Sequence, residues 1–103
     1  MIYKYVLGIP YRTRLGRNTL LVKNAEIKKV LDIQLQGEVA VMWAEVELQD
    51  YNTQYVFDVV WTGYPAPKDM EYVSTIQEPD TGLVYHYYVY NRPIHFNTTD
   101  FDL

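Results

Sequence analysis

The 103-residue chain contains no cysteine and a single serine, Ser74. Without cysteine, neither disulfides nor thiolate metal sites can hold the fold, which suits a reducing compartment. With its one serine inside a strand-like run and no Gly-x-Ser-x-Gly elbow, a nucleophilic triad has nothing to start from. The two histidines, His86 and His95, lack further ligands at a metal-binding spacing, so no metal is expected. The five glycines lie scattered at positions 8, 16, 37, 63 and 82, where each reads as a turn and none builds a phosphate loop. No cofactor is implied. Long apolar runs are missing too: nothing approaches the roughly 20 residues of a spanning helix. Met1 leads at once into Ile2-Tyr3-Lys4-Tyr5 with no cleavable signal. The expectation is a soluble, cytoplasmic protein without a membrane contact.

What is present is apolar and aromatic. Hydrophobic residues make up 49% and aromatic residues 16%, with eleven tyrosines against three phenylalanines, which excludes a disordered chain and suggests a partly wet aromatic surface. The length fits one domain, read as residues 1–92, followed by a flexible tail over 93–103. The net charge of −4 hides a split of about +6 over residues 1–30 and −10 over the rest. Such a split can mean an anion-binding face, a head-to-tail subunit contact, or basic strands lying beside acidic ones in one sheet. Non-specific nucleic-acid binding normally needs a larger basic excess, and specific DNA binding is not expected.

The organising stretch is 39–67, two apolar strands read as a central hairpin around Asp50-Tyr51-Asn52, running into Trp61-Thr62-Gly63-Tyr64-Pro65-Ala66-Pro67. Before it, Tyr3 to Leu7 and Thr19 to Val22 read as strands, with a basic loop or irregular edge from Tyr11 to Asn18 between them. Residues 26–36 fit a helix capped by Asn24 or a strand; the alternation of Leu31, Ile33 and Leu35 favours the strand, with Gly37 at the hairpin. Tyr72 to Gln77 and Leu83 to Tyr90 complete the set, the last with Leu83, Tyr85, Tyr87 and Val89 on one face. The fold expected is all-β: a small antiparallel sandwich or barrel-like sheet of six to seven strands with at most one short helical turn.

The candidate binding residues are Arg12, Arg14 and Arg17, suited to bidentate contact with phosphate or acidic groups, and Tyr64, Tyr85, His86 and Tyr88, suited to stacking and hydrogen bonding. The plain alternatives are a solvated basic loop, a tyrosine-rich core rim and a half-buried histidine bonded to a carboxylate or carbonyl. Glu45 and Glu47 read as a solvated strand face and not as a catalytic pair. Asp58, between Phe57 and Val59, needs a cation if buried, with Arg12, Arg14 or Lys4 as candidates.

The run Ile2-Tyr3-Lys4-Tyr5, the Gln36-Gly37 turn before Met42-Trp43-Ala44, the Thr62-Gly63-Tyr64-Pro65-Ala66-Pro67 loop, Tyr72-Val73-Ser74-Thr75 and Leu83-Val84-Tyr85-His86 together resemble a small uncharacterised domain family of phage and prophage genomes. The resemblance implies a compact β-fold and a phage accessory protein, and carries over no catalytic residue. The expected function is non-enzymatic: stoichiometric binding, either inhibiting a host defence protein or sequestering a small nucleotide signal. The alternative is a virion assembly protein. A homo-oligomer is expected in either case, located in the host cytoplasm if phage-encoded.

Overall fold

The computed structural model describes residues 1–90 together with the backbone of 94–95. The strands are β1 (Ile2–Gly8), β2 (Gly16–Val22), β3 (Ala25–Gln36), β4 (Val39–Leu48), β5 (Thr53–Trp61), β6 (Glu71–Gln77), β7 (Val84–Val89) and the two-residue β8 (Ile94–His95), with a single 3-10 turn at Pro10–Arg12. They form two antiparallel sheets, one in the order β1-β4-β3 and one in the order β2-β5-β7-β6, with β8 added beside β5. The all-β expectation therefore holds. The tail expected from residue 93 otherwise falls outside the described residues.

The core follows strand parity. Ala40, Met42, Ala44 and Val46 of β4 face Tyr55, Phe57 and Val59 of β5 and Tyr85, Tyr87 and Val89 of β7, all buried in one cluster. The alternation read for residues 84–89 is the one observed.

The hairpin expected at 50–52 is not there. β4 and β5 belong to different sheets, β4 pairing with β1 and β3, and β5 with β2 and β7. The hairpin expected at Gly37 is there, joining β3 to β4, and its φ of 65° supplies the positive value that a two-residue turn needs at its first position. From that turn a long ribbon, β2 and β3 against β4 and β5, bends over a corner where Val22 pairs with Thr53 and Ala25 with Leu48. Both chains cross between sheets there, and they are clamped together. The Gln49 amide donates to the Asn24 carbonyl at 2.9 Å, the Asn24 amide to Asn52 Oδ1 at 2.9 Å, and the Thr53 hydroxyl to the Ala25 carbonyl at 2.9 Å. Asn24, considered as a helix cap, instead turns this corner with φ 51°, a value that asparagine tolerates.

β3 is a strand, but its alternation is broken. Register shifts at Ile27/Lys29 and Val30/Asp32 insert bulges, and Leu31, expected to share a face with buried Ile33, is 40% exposed. At the second bulge both main-chain polar groups of Ile33 meet side chains: its amide donates to Asp32 Oδ1 at 2.8 Å, and its carbonyl accepts from the Ser74 hydroxyl at 2.6 Å. The lone serine thus ties β6 to β3, the facing edges of the two sheets.

Two core tyrosines resist ionisation. Burial, then the charge of Glu71, pushes Tyr55 up to about 12, and burial, then Tyr85, pushes Tyr87 further above the ordinary phenol value of 10.0. A pKa raised in the folded state means stability that is complete below pH 10.0 and is lost as pH climbs toward 12. Absorbance titration is expected to show these phenols ionising late and together with loss of the near-ultraviolet circular dichroism. Ionisation of every tyrosine near pH 10 with the fold intact would contradict this.

Candidate functional site

The end of the sandwich opposite the corner carries the 9–15 connection, the Gly37 hairpin, the start of the 62–70 segment and the 78–82 turn. β5 and β6 both run antiparallel to β7, hence parallel to each other. A parallel relation forces a connection that travels the length of the sheet. Residues 62–70 make that crossing over the outer face of the larger sheet. Gly63 and Asp69, both at positive φ, shape its two ends, and Pro65 and Pro67 stiffen its middle.

Beneath the crossing lies a cleft of about 470 Å³ whose walls include Leu15, Asp58, Val60, Trp61, Tyr64 and Pro67. Trp61 is 37% exposed and Tyr64 65%, with ring centroids 6.5 Å apart and planes at 58°. Asp58 sits on the face away from the core, yet it is buried, and Arg17 Nε meets its Oδ1 at 3.3 Å. The partner of Asp58 is therefore Arg17 and not Arg12, Arg14 or Lys4. The reason is register: β2 extends back to Gly16, further than the strand read from Thr19, and sets Arg17 directly opposite Asp58. The other end of the guanidinium, Nη2, lies 3.4 Å from Met70 Sδ, tying β2 to the far end of the crossing. Arg17 remains largely exposed.

Beside the cleft, His86 is half-buried between two hydroxyls, Nε2 at 2.8 Å from Thr62 Oγ1 and Nδ1 at 2.9 Å from Thr75 Oγ1, and Thr75 is 2.8 Å from Tyr72 Oη. Hydroxyls stand where a carboxylate or carbonyl was expected. Tyr88, opposite Asp58 in register, packs edge-on against Tyr72 at 5.7 Å. Of the candidate residues, Arg17, Tyr64, His86 and Tyr88 thus share one side of the molecule. The remaining three do not join them. Tyr85, expected on a binding face, is 1% exposed and belongs to the core. Burial, then the charge of Glu78, raises its phenol pKa; the Trp61 indole acts in the opposite direction without reaching hydrogen-bond geometry. Arg12 lies over the Tyr11 ring at 5.5 Å, and Tyr11 lines a different cavity. Arg14 lends its carbonyl to Asn18 Nδ2 at 2.8 Å and is exposed.

Sequence reasoning missed Trp61 and Leu15 as cleft residues. The available signal was the tryptophan at the strand end, immediately before a proline-stiffened loop. In the smaller sheet Lys28 of β3 bridges Glu26 at 3.3 Å and Glu47 of the neighbouring β4 at 3.5 Å. Among the described residues no three His, Cys, Asp or Glu side chains are grouped to hold a metal ion, and no helix is long and apolar enough to cross a membrane.

These observations define a two-sheet antiparallel β domain with an aromatic cleft under a crossing loop. The chain belongs to the family described as Domain of unknown function (DUF7352), whose model matches residues 1–95. No curated protein and no solved structure matches it.

Proposed function

We propose that the protein acts by stoichiometric binding and not by catalysis, taking a nucleotide-like ligand, aromatic and anionic, into the cleft beneath the 62–70 crossing. The observation that carries this reading is the placing of two exposed aromatic rings, Trp61 and Tyr64, in one cleft with Asp58, whose ion-pair partner Arg17 stands beside that wall. A base stacks on such rings without needing a particular sequence, and a largely exposed guanidinium receives phosphate oxygens. Asp58 fixes Arg17 in place and is itself neutralised by it, so the cleft is not left with an unpaired negative charge. As a phage accessory protein in the host cytoplasm, such a binder would sequester a small nucleotide signal or occupy a host defence protein.

Calorimetric titration with a panel of linear and cyclic mono- and dinucleotides tests the reading. Tyr64→Ala and Arg17→Ala are each expected to weaken binding about tenfold, the low end of the stacking and charge-assisted scale. Arg12→Ala is expected to leave affinity unchanged, since Arg12 lies by the other cavity. No binding to the unaltered protein across the panel, or a larger loss from Arg12→Ala than from Arg17→Ala, would overturn it.

A second reading, self-assembly in a virion or an oligomer, has its own support. β1 is an edge strand pairing only with β4 among the described residues, and it exposes Ile2 at 62% and Val6 at 61%. An open apolar edge is a template for a second copy. Val6→Lys is expected to shift sedimentation toward the monomer; a monomeric unaltered protein would remove this reading.

A further inference from the structure

A second cavity, of about 390 Å³, opens at the same end of the sandwich, between the Gly37 hairpin and the 78–82 turn. Its walls include Tyr11, Leu35, Pro79 and three carboxylate residues, Glu38, Glu78 and Asp80. Glu38 and Asp80 stand exposed at the rim. Glu78 is different: only 8% of it is exposed, and its Oε2 is buried without a hydrogen-bond partner. Its main chain is held at both ends, the amide donating to the Leu83 carbonyl at 2.8 Å and the carbonyl accepting from the Gly82 amide at 2.8 Å. The turn therefore fixes the main chain of Glu78, a residue of the cavity wall. Among the described residues it forms no ion pair. A shielded carboxylate with an unmet oxygen calls for a donor, and a charged donor answers both the charge and the hydrogen bond.

We propose that this cavity binds an organic cation, an ammonium or guanidinium group on an apolar stem, anchored by Glu78. A bare metal ion does not fit, since the three carboxylates are not grouped to hold one. They surround a larger ligand instead: Glu78 takes the charged head, Leu35 and Pro79 pack the stem, and the two rim carboxylates attract it by their long-range charge. The Tyr11 ring already holds a guanidinium, that of Arg12, on one of its faces, so it is a surface on which a cation rests favourably. Near Glu78, the Tyr85 hydroxyl is also buried and unpartnered, and its raised pKa keeps it a neutral donor or acceptor. The site is independent of the nucleotide reading: it takes the opposite charge and shares none of the cleft's lining residues. The cationic group comes either from a free small amine or guanidine or from a lysine or arginine side chain of another polypeptide.

The test is an amide chemical-shift titration of the full chain with n-butylammonium and n-butylguanidinium, with butyrate as the control of inverted charge. Shifts are expected at Gly37, Glu38 and Thr81 with at least one of the cations and not with butyrate. Glu78→Gln, of the same shape, is expected to weaken the cation about tenfold, the scale of one charge-assisted hydrogen bond. The paired rim change Glu38→Gln with Asp80→Asn lies on exposed positions that do not endanger folding, and is expected to weaken it roughly threefold. A blocked tripeptide carrying one lysine or arginine separates the sources: tighter binding than the butyl probe assigns the site to a polypeptide side chain, and equal or weaker binding to a free cation. Absence of shifts with both cations overturns the proposal. So does an affinity that survives Glu78→Gln, or, should that variant not fold, one that survives the paired rim change.

Discussion

Tyr87→Phe is expected to leave the fold intact and to stabilise it, whereas Tyr87→Ala is expected to cost about 3–5 kcal/mol. Tyr87 lies at the centre of the core, fully buried, opposite Val59 on one side and Ser74 on the other. Its ring fills the space between the sheets, and its hydroxyl has no partner. Burying a hydroxyl unsatisfied carries a penalty of about 1–3 kcal/mol, which phenylalanine avoids while keeping the ring contacts. The net gain from Phe is then on the order of 1 kcal/mol, after the ring relaxes into the space left by the oxygen. Alanine instead opens a ring-sized cavity in a domain whose whole stability is about 5–15 kcal/mol, and brings it close to unfolding. Urea denaturation of the three proteins measures both differences. A loss of more than about 1 kcal/mol in Tyr87→Phe would mean that the hydroxyl is satisfied, and the penalty argument would fail.

Parity made most of the fold legible. Where one strand face is buried the period of two is strict, so Tyr85, Tyr87 and Val89 declared their common side, and Gly37 declared its turn. What parity cannot reveal is which sheet a strand joins. β4 and β5 are both apolar and separated by a short polar break, the pattern of a hairpin; at this corner the same break is a crossing between layers, closed by Asn24, Asn52 and Thr53 from 28 residues apart in sequence. Bulges are equally silent, since one extra residue such as Leu31 looks like any other until its partner strand is known.

The candidate site was half legible for the same reason. Three arginines within six positions look like one patch, yet the turn at 10–12 and the start of β2 at Gly16 leave Arg12 over the Tyr11 ring and put Arg17 onto Asp58. Asp58 announced its need for a cation, because a carboxylate between Phe57 and Val59 must be partnered. Register then chose which one. Glu78 gave no such signal, since a glutamate before Pro-Asp-Thr-Gly reads as ordinary turn chemistry, and its burial and its place in a cavity shared with the Gly37 hairpin arise only in the fold.

Ser74→Ala is expected to cost about 1–3 kcal/mol, a large effect for the loss of a single oxygen. The Ser74 hydroxyl donates at 2.6 Å to the Ile33 carbonyl in a buried setting, across the gap between the edges of two sheets. The register of β3 slips just before this point, between Val30 and Asp32, so the carbonyl served by Ser74 lies beside a bulge. Alanine keeps the packing and leaves this acceptor dry and unmet. Asp32→Ala acts on the same residue through the other group, because Asp32 Oδ1 takes the Ile33 amide. Two changes at one bulge are expected to be non-additive: once the first lets β3 loosen, the second removes a bond already weakened. Hydrogen exchange gives the local reading, with faster exchange at Ile33 and its neighbours and little change at the corner around Ala25, where Thr53 also bonds across the sheets. If exchange instead accelerates uniformly through both sheets, Ser74 supports the global fold and not this edge. If neither stability nor exchange changes, the bulge satisfies its own carbonyl and the two sheets meet at β3 and β6 through packing alone.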